Sequence, residues 1–357
     1  MKRVLVAMSG GVDSSVTAWL LKQQGYDCVG VTMKLYDNEM AGLERGRTCC
    51  SLDDVEDARG VAWRLGMRHY TFNFKTEFED EVIRPFAESY LRGETPNPCI
   101  ECNRRLKFDR LLRRAGEVGC DYIATGHYAR IEQADGRFLL RKAADDSRDQ
   151  SYVLYMLTQE QLARTLFPLG GLRKTEVRRI AEEQGFVNAR KRDSQDICFI
   201  PDGDYPAFLE RYTGRELPPG RLVDSAGNTL GPCRNAAAYT IGQRRGLGLS
   251  ADARRSVCGK AMADNTVTVG PERDLMAGGL TAGNFNWIVP PGQVPFPAEA
   301  RVRYHQKEEP VTVTPRADGT VRLDFLRPRR APAPGQAVVL YDGDVVLGGG
   351  TILRAER

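Results

Sequence analysis

Short apolar runs alternate with stretches of helical period from the start of the chain. Arg3 to Ala7 is the first such run and closes on Ser9-Gly10-Gly11. Asp13 to Gln24 then sets Val16, Leu20 and Leu21 on one face, so the spacing predicts a strand, a tight turn and a helix. Further runs at 28–33 (CVGVTM), 69–74 (HYTFNF) and 121–125 (DYIAT) are again separated by helical stretches. Strands and helices in that alternation predict an α/β fold with a doubly wound, mostly parallel sheet. A helix opening at Ser51 has Ser51 and Asp54 in capping-box spacing and Val55, Ala58, Ala62 and Leu65 on one side. Another follows Thr95-Pro96-Asn97-Pro98. It sets Phe108, Leu111, Leu112 and Ala115 at i, i+3, i+4 and i+7, with Arg104, Arg105, Lys107, Arg110, Arg113 and Arg114 as a basic face.

Past residue 200 the texture changes. Pro and Gly become frequent across 201–232, helical periodicity fades, and from about 266 the chain alternates like strands: TVTV, FNWIV, ARVRYH, PVTVT, TVRLDFL, AVVLYD and VVLGGGTIL. Asp318-Gly319 and Asp342-Gly343 supply hairpin turns. The expected division is an α/β domain over 1–203, a small central domain over 204–270 and a C-terminal β-barrel over 271–357.

Composition narrows the classes. With 41% hydrophobic and 27% charged residues, the chain is neither collagenous nor wholly disordered. No apolar stretch approaches the roughly 18 residues that span a bilayer, so a cytoplasmic protein without a membrane partner is expected. A formal charge of +4 is compatible with a polyanionic partner without demanding one. Three histidines, His69, His127 and His305, make a His-rich metal site a poor prospect. Nine cysteines in such a chain point to thiol or metal chemistry rather than a disulfide framework.

Ser9-Gly10-Gly11-Val12-Asp13-Ser14-Ser15 lies between the first strand and its helix. Glycines there let backbone N–H groups approach an anion, and the helix N-terminus adds donors and the positive end of its dipole. No Lys follows in the Walker pattern, so an ordinary P-loop kinase or GTPase is disfavoured. A carboxylate in such a loop would repel phosphate, and Asp13 therefore suggests Mg²⁺ bound with pyrophosphate; a plain helix cap is the alternative. Cys99 and Cys102 form C-x-x-C before the basic helix. A helix start together with Arg104 and Arg105 would lower a thiol from about 8.5, making Cys102 a candidate thiolate. A zinc knuckle or buried thiols are the bland readings, and burial is expected of Cys28, Cys120, Cys233 and Cys258.

The loop heptad resembles the signature of the N-type (PP-loop) ATP pyrophosphatases. TPNPCIECNRRLKF (95–108), ATGHYAR (124–130), RDQSYVL (148–154), KRDSQDICFI (191–200) and YTIGQRRGLGL (239–249) extend that resemblance, over nearly the whole chain, to the tRNA-specific 2-thiouridylase family. The resemblance implies a tRNA-uridine 2-sulfurtransferase that uses ATP and Mg²⁺. The C2 oxygen of the wobble uridine would be adenylated with release of pyrophosphate, and sulfur would then displace AMP. By the same resemblance Ala7, Met8, Ser9, Gly10, Gly11, Val12, Asp13 and Ser14 hold the phosphates, and Met33 and Gly126 line the adenosine. Cys102 is the nucleophile and Cys198 carries persulfide sulfur. Asn97, Pro98 and Cys99 border the target base, and His127, Arg148, Asp149, Gln150, Arg303, Tyr304 and Gln336 contact tRNA, with wobble-uridine tRNAs for Lys, Glu and Gln expected. Sulfur would arrive from a cysteine desulfurase or relay protein. Cys99, Cys102 and Cys198 alternatively match the count for a [4Fe-4S] cluster with one open iron. Gly231-Pro232-Cys233-Arg234-Asn235 departs from the family's G-x-H-x-G. Rival readings are another ATP pyrophosphatase acting on a small carbonyl and a non-catalytic tRNA-binding module.

Overall fold

The computed structural model describes residues 1–36, 52–191, 197–249 and 255–356, which form two compact units. Cys49, Cys50 and Ser51 lie outside the described residues, so the Ser51 half of the expected capping box does too. The first unit comprises Met1–Ile83, Pro98–Gly203 and Asp344–Val346. Its elements are β1 (Arg3–Ala7), α1 (Val12–Gln23), β2 (Asp27–Lys34), α2 (Leu52–Arg64), β3 (Arg68–Asn73), β4 (Tyr122–Ala124), β5 (Arg130–Ala134), β6 (Arg137–Arg141), β7 (Thr165–Leu166) and α3 (Lys174–Glu183). The sheet runs β3-β2-β1-β4-β7 with all pairings parallel, as the alternating runs predict. Val4, Leu5 and Val6 are fully buried because β1 is central and covered on both faces.

This order determines where a ligand fits. The chain leaves β1 for β2 and β3 on one side, then returns to β4 on the other, so the loops after β1 and β4 part and open a crevice at the carboxyl ends of the strands.

The cysteine-bearing helix begins as an α-helix at Pro98–Glu101, relaxes to a π-helix over Cys102–Arg110 and returns to α at Leu111–Glu117. Phe108, Leu111, Leu112 and Ala115 are its buried face, as expected. Pro98 sits at the first helical position, where its missing N–H costs nothing. Cys99 therefore lies in the first turn and Cys102 one turn further in, which corrects the expectation that Cys102 marks the helix start.

The second unit comprises Arg84–Asn97, Asp204–Gly343 and Leu347–Arg357. A helix missed by the sequence reading, α4 (Tyr205–Thr213), opens its segment from Asp204: the Asp204 carboxylate accepts from the Ala207 N–H at 3.2 Å, and Gly214 at φ +66° ends the helix. Strands β8 (Gly220–Val223), β9 (Thr229–Cys233), β10 (Ser256–Ala261) and β11 (Thr266–Gly270) make a four-stranded sheet in the order β10-β11-β8-β9. TVTV thus belongs here, before the barrel. Within the altered segment, the Asn235 side chain accepts from the Ala237 N–H at 3.0 Å and donates to the Pro218 carbonyl at 3.0 Å, so Asn235 holds the local turn.

The remaining strands, β12 (Met276–Trp287), β13 (Phe296–Arg301), β14 (Glu309–Pro315), β15 (Val321–Arg330), β16 (Ala337–Asp342) and β17 (Val345–Glu356), pair in the order β12-β15-β14-β13-β16-β17, and β12 pairs back to β17. That closure makes a six-stranded antiparallel barrel without edges, filled by Leu280, Val313, Leu323, Val338 and Leu340.

Candidate active site

The β1–α1 turn carries the phosphate-loop heptad. Gly10 takes φ +72°, and a Cβ there would stand 2.3 Å from the Asp54 carbonyl oxygen, so glycine is needed both for the turn and for the approach of α2. Gly11 caps α1 with no side-chain hydrogen bond, so the cap residue itself leaves the first-turn N–H groups free of a capping side chain. Ser14 Oγ accepts from the Ser9 N–H at 3.2 Å and donates to the Gly11 carbonyl at 3.0 Å, and this closes the loop on itself. Buried Asn188 donates to the Gly10 carbonyl and to Ser15 Oγ, both at 2.9 Å. Lys191 reaches Asp54 at 2.6 Å and Asp57 at 2.7 Å. Burial works against its charge, but the hydrogen bonds to the two carboxylates outweigh it and hold its pKa above the ordinary lysine value. Asp54 is thereby a partner of Lys191.

Asp13 has two partners within the protein. Its carboxylate accepts from buried Lys174 Nζ at 2.7 and 2.8 Å and from the Tyr128 hydroxyl at 2.8 Å. The repulsion that suggested Mg²⁺ is offset by the lysine, so the residues here do not fit a cation on Asp13. Sequence reading missed Lys174. The available signal was a lysine at the first position of α3, against the helix dipole. Asp145 caps that helix from a distance by accepting from the Lys174 N–H at 3.0 Å, which with the Ser147 hydroxyl holds its pKa below the usual range.

Gly126, after β4, is where the crevice narrows. A Cβ would lie 3.0 Å from the Asp13 carbonyl carbon and the Ser14 nitrogen, so glycine is required by the loop's approach. Ala7 and Met33 are half-buried near the ends of β1 and β2, while Met8 and Val12 are buried beneath the loop and Ser9 is exposed at its tip.

Cys99 is exposed and Cys102 half-buried. Glu101 pairs with both Arg104 at 3.3 Å and Arg105 at 3.6 Å, so its single carboxylate offsets one of the two charges expected to activate Cys102. Arg110 pairs with Glu81, Arg113 with Asp109 and Arg114 with Glu117, so of the six basic residues only Lys107 is not in one of these pairs. Half-buried Cys198 is delivered to the end of β2: the Tyr36 hydroxyl donates to its carbonyl at 2.5 Å, and Phe199 packs edge-on against Phe78. Among the described residues no three His, Cys, Asp or Glu side chains gather to hold a metal ion, so Cys99, Cys102 and Cys198 do not present a cluster site. Cys28, Cys120 and Cys258 are buried as expected, and burial pushes the Cys28 thiol up to about 11; Cys233 is only half-buried.

Of the residues expected at tRNA, His127 is enclosed between Phe108 and Phe167, its Nδ1 bonded to Thr125 Oγ1 at 2.6 Å. That ring is buried. Asp149 is buried and accepts from the Ala143 and Ser151 N–H groups, each at 3.1 Å, and from the Ser151 hydroxyl. Gln150 accepts from the Tyr128 N–H, and Arg148 is exposed. In the second unit Asn97 is half-buried, Arg303 donates to the Ile241 and Ala331 carbonyls, Tyr304 stacks edge-on with His305, and Gln336 donates to the Thr95 carbonyl at 2.6 Å. Pro98 is buried at the start of the cysteine helix.

These features place the first unit in a class. A family model described as the tRNA methyl transferase HUP domain matches residues 2–202, a tRNA methyl transferase PRC-barrel domain matches 206–271 and an aminomethyltransferase beta-barrel domain matches 277–352. The tRNA-specific 2-thiouridylase MnmA of Geotalea uraniireducens is 48% identical over 358 residues, covering 99% of this chain and 96% of that protein. The protein of that name from Heliobacterium modesticaldum is 50% identical over 357 residues, covering 98% and 92%. The chain belongs to the tRNA-specific 2-thiouridylase family. A solved 4-thiouridine synthetase–RNA complex with bound ATP is 22% identical over 60% of this chain and 50% of that one, with a TM-score of 0.38. Among the described residues no helix is long and apolar enough to cross a membrane.

Proposed function

We propose that this chain is an ATP-dependent tRNA-uridine 2-sulfurtransferase acting on the wobble uridine in the cytoplasm. The observation that carries the reading is the uncapped N-terminus of α1 behind a glycine loop, in one unit with a C-x-x-C helix and a tethered third cysteine. Backbone donors from Gly10 to Ser14 would hold the ATP phosphates with Mg²⁺ carried on the phosphates, while Met33 and Gly126 border the adenosine. The uridine C2 oxygen attacks the α-phosphorus and pyrophosphate leaves.

A persulfide on Cys198, supplied by a sulfur-donor protein, then attacks C2 through its outer sulfur and AMP departs. Cys102 thiolate attacks the Cys198 sulfur, which forms a Cys102–Cys198 disulfide and releases the thiocarbonyl; a dithiol reductant returns both thiols. Arg148, Arg303, Tyr304 and Gln336 are proposed tRNA contacts, and Asn97, Pro98 and Cys99 the border of the base site. Domain boundaries at 203 and 270 complete the proposal.

Replacing Cys198 by Ser should abolish 2-thiouridine, seen by mass spectrometry of the tRNA nucleosides, while tRNA-dependent pyrophosphate release persists. Cys102→Ser should instead accumulate tRNA joined to Cys198. Thiolation by the Cys198 variant, or a methylated rather than thiolated product, would overturn the proposal.

A further inference from the structure

The segment Arg148 to Leu154 separates into an exposed end and an inward one. Arg148 faces solvent, whereas Gln150 and Tyr128 grip each other twice: the Tyr128 N–H donates to Gln150 Oε1 at 2.9 Å, and the Gln150 N–H donates to the Tyr128 carbonyl at 2.9 Å. Tyr128 is 2% exposed, and a buried phenol needs a partner for its hydroxyl. Its partner is Asp13 Oδ1 at 2.8 Å, in the nucleotide loop. On the other side, the Val153 N–H donates to the Gln150 carbonyl at 3.1 Å, and the Val153 carbonyl accepts from Asn103 Nδ2 at 3.0 Å. Asn103 follows Cys102 directly in the π-helical stretch, where a local departure from α-helical bonding often marks function.

We infer that Tyr128 and Gln150 are positioning residues that make adenylation respond to RNA. The inference rests on the sulfurtransferase reading. RNA held at Arg148 acts on a segment whose residue two positions on fixes Tyr128, and Tyr128 with Lys174 fixes the Asp13 carboxylate beside the phosphate donors. The same segment is pinned through Asn103 to the helix that carries Cys102. Packing alone explains the ring of Tyr128, but it gives no reason for the hydroxyl to be aimed at the loop's only carboxylate.

The test is steady-state pyrophosphate release by the full-length protein with ATP and a wobble-uridine tRNA. Tyr128→Phe keeps the buried ring and should lower kcat roughly tenfold while the KM for tRNA moves by less than about twofold, as expected for one lost hydrogen bond to a charged group. Gln150→Leu should lower kcat similarly, and Gln150→Glu, which keeps an oxygen for the Tyr128 N–H, should recover most of that loss. Because the two residues act in series, Tyr128→Phe with Gln150→Leu should fall no further than the worse single variant. Wild-type kcat in Tyr128→Phe, or losses that multiply in the double variant, would overturn the inference. Tyr128→Phe decides alone if Gln150→Leu does not fold. A wild-type protein that releases no pyrophosphate with tRNA overturns the sulfurtransferase reading and this inference together.

Discussion

His127 stands three residues past the end of β4 and is boxed by two phenylalanines, and desolvation, followed by the nearby Lys107, pushes its pKa well below the ordinary value. A base whose folded pKa is depressed takes up its proton more readily when unfolded. Its contribution to stability is therefore complete above the unfolded value of about 6.5 and is lost as pH falls below it. Denaturation midpoints measured from pH 8 to pH 5 should drop more steeply for the wild type than for His127→Gln; parallel curves would show that the ring does not titrate with unfolding. At this scale the sequence was legible where motif and geometry coincide, as at Gly10 and Gly126. It was not legible at Asp13, because the lysine that offsets its charge lies 161 positions away. Nor could it reveal that Glu101 pairs with both Arg104 and Arg105 and offsets one of their two charges, since an i+3 or i+4 partner competes with a thiol only once rotamers are fixed.

Period and turn chemistry made β1 to β4 and the barrel hairpins readable, because the parallel strands are short apolar runs separated by helical stretches and the hairpins alternate and turn on Asp-Gly. The four-stranded sheet of the second unit was not, since its strands are short, interrupted by proline and glycine, and completed by pairing β8 with the distant β11. Helix α4 had a cap, an early proline and a terminal glycine in sequence, yet only two fully buried side chains, too few to set a period. Lys260 on β10 shows what that sheet tolerates: its Nζ donates to the Tyr239 carbonyl at 2.8 Å, and burial lowers its pKa to about 8. The folded value lies below the unfolded one, so the cost of burying the charge is fully present below pH 8. It lifts as pH rises toward 10.5, where the unfolded chain also loses the proton. Lys260→Met should raise stability by about 1 kcal/mol at pH 7, with the gain shrinking above pH 8. A destabilised variant at pH 7 would mean that the Tyr239 bond outweighs the burial cost.

For the molecule as a whole, the two units are not consecutive lengths of chain, which matters for any attempt to assign RNA binding by truncation. Asp344–Val346, near the C-terminus, cluster with the first unit. There Asp344 pairs with Arg130 at 2.8 Å and Arg141 at 2.5 Å, and Val345 continues the β5–β6 hairpin beside Arg141. Cutting the chain at residue 271 to remove the barrel would therefore also strip an acid from two arginines and a strand from a hairpin. A loss of ATP binding in such a fragment would say little about the barrel. The full chain gives the cleaner comparison: Asp344→Asn should loosen the hairpin by about 1 kcal/mol, because the arginines are only partly exposed and Arg141 keeps Glu132. Amide hydrogen exchange over residues 130–142 should then quicken roughly fivefold, while exchange in the barrel strands β13 to β15 stays as in the wild type. Unchanged exchange across the hairpin would show that Asp344 adds nothing to the first unit, and truncation would again become a fair way to separate nucleotide binding from RNA binding.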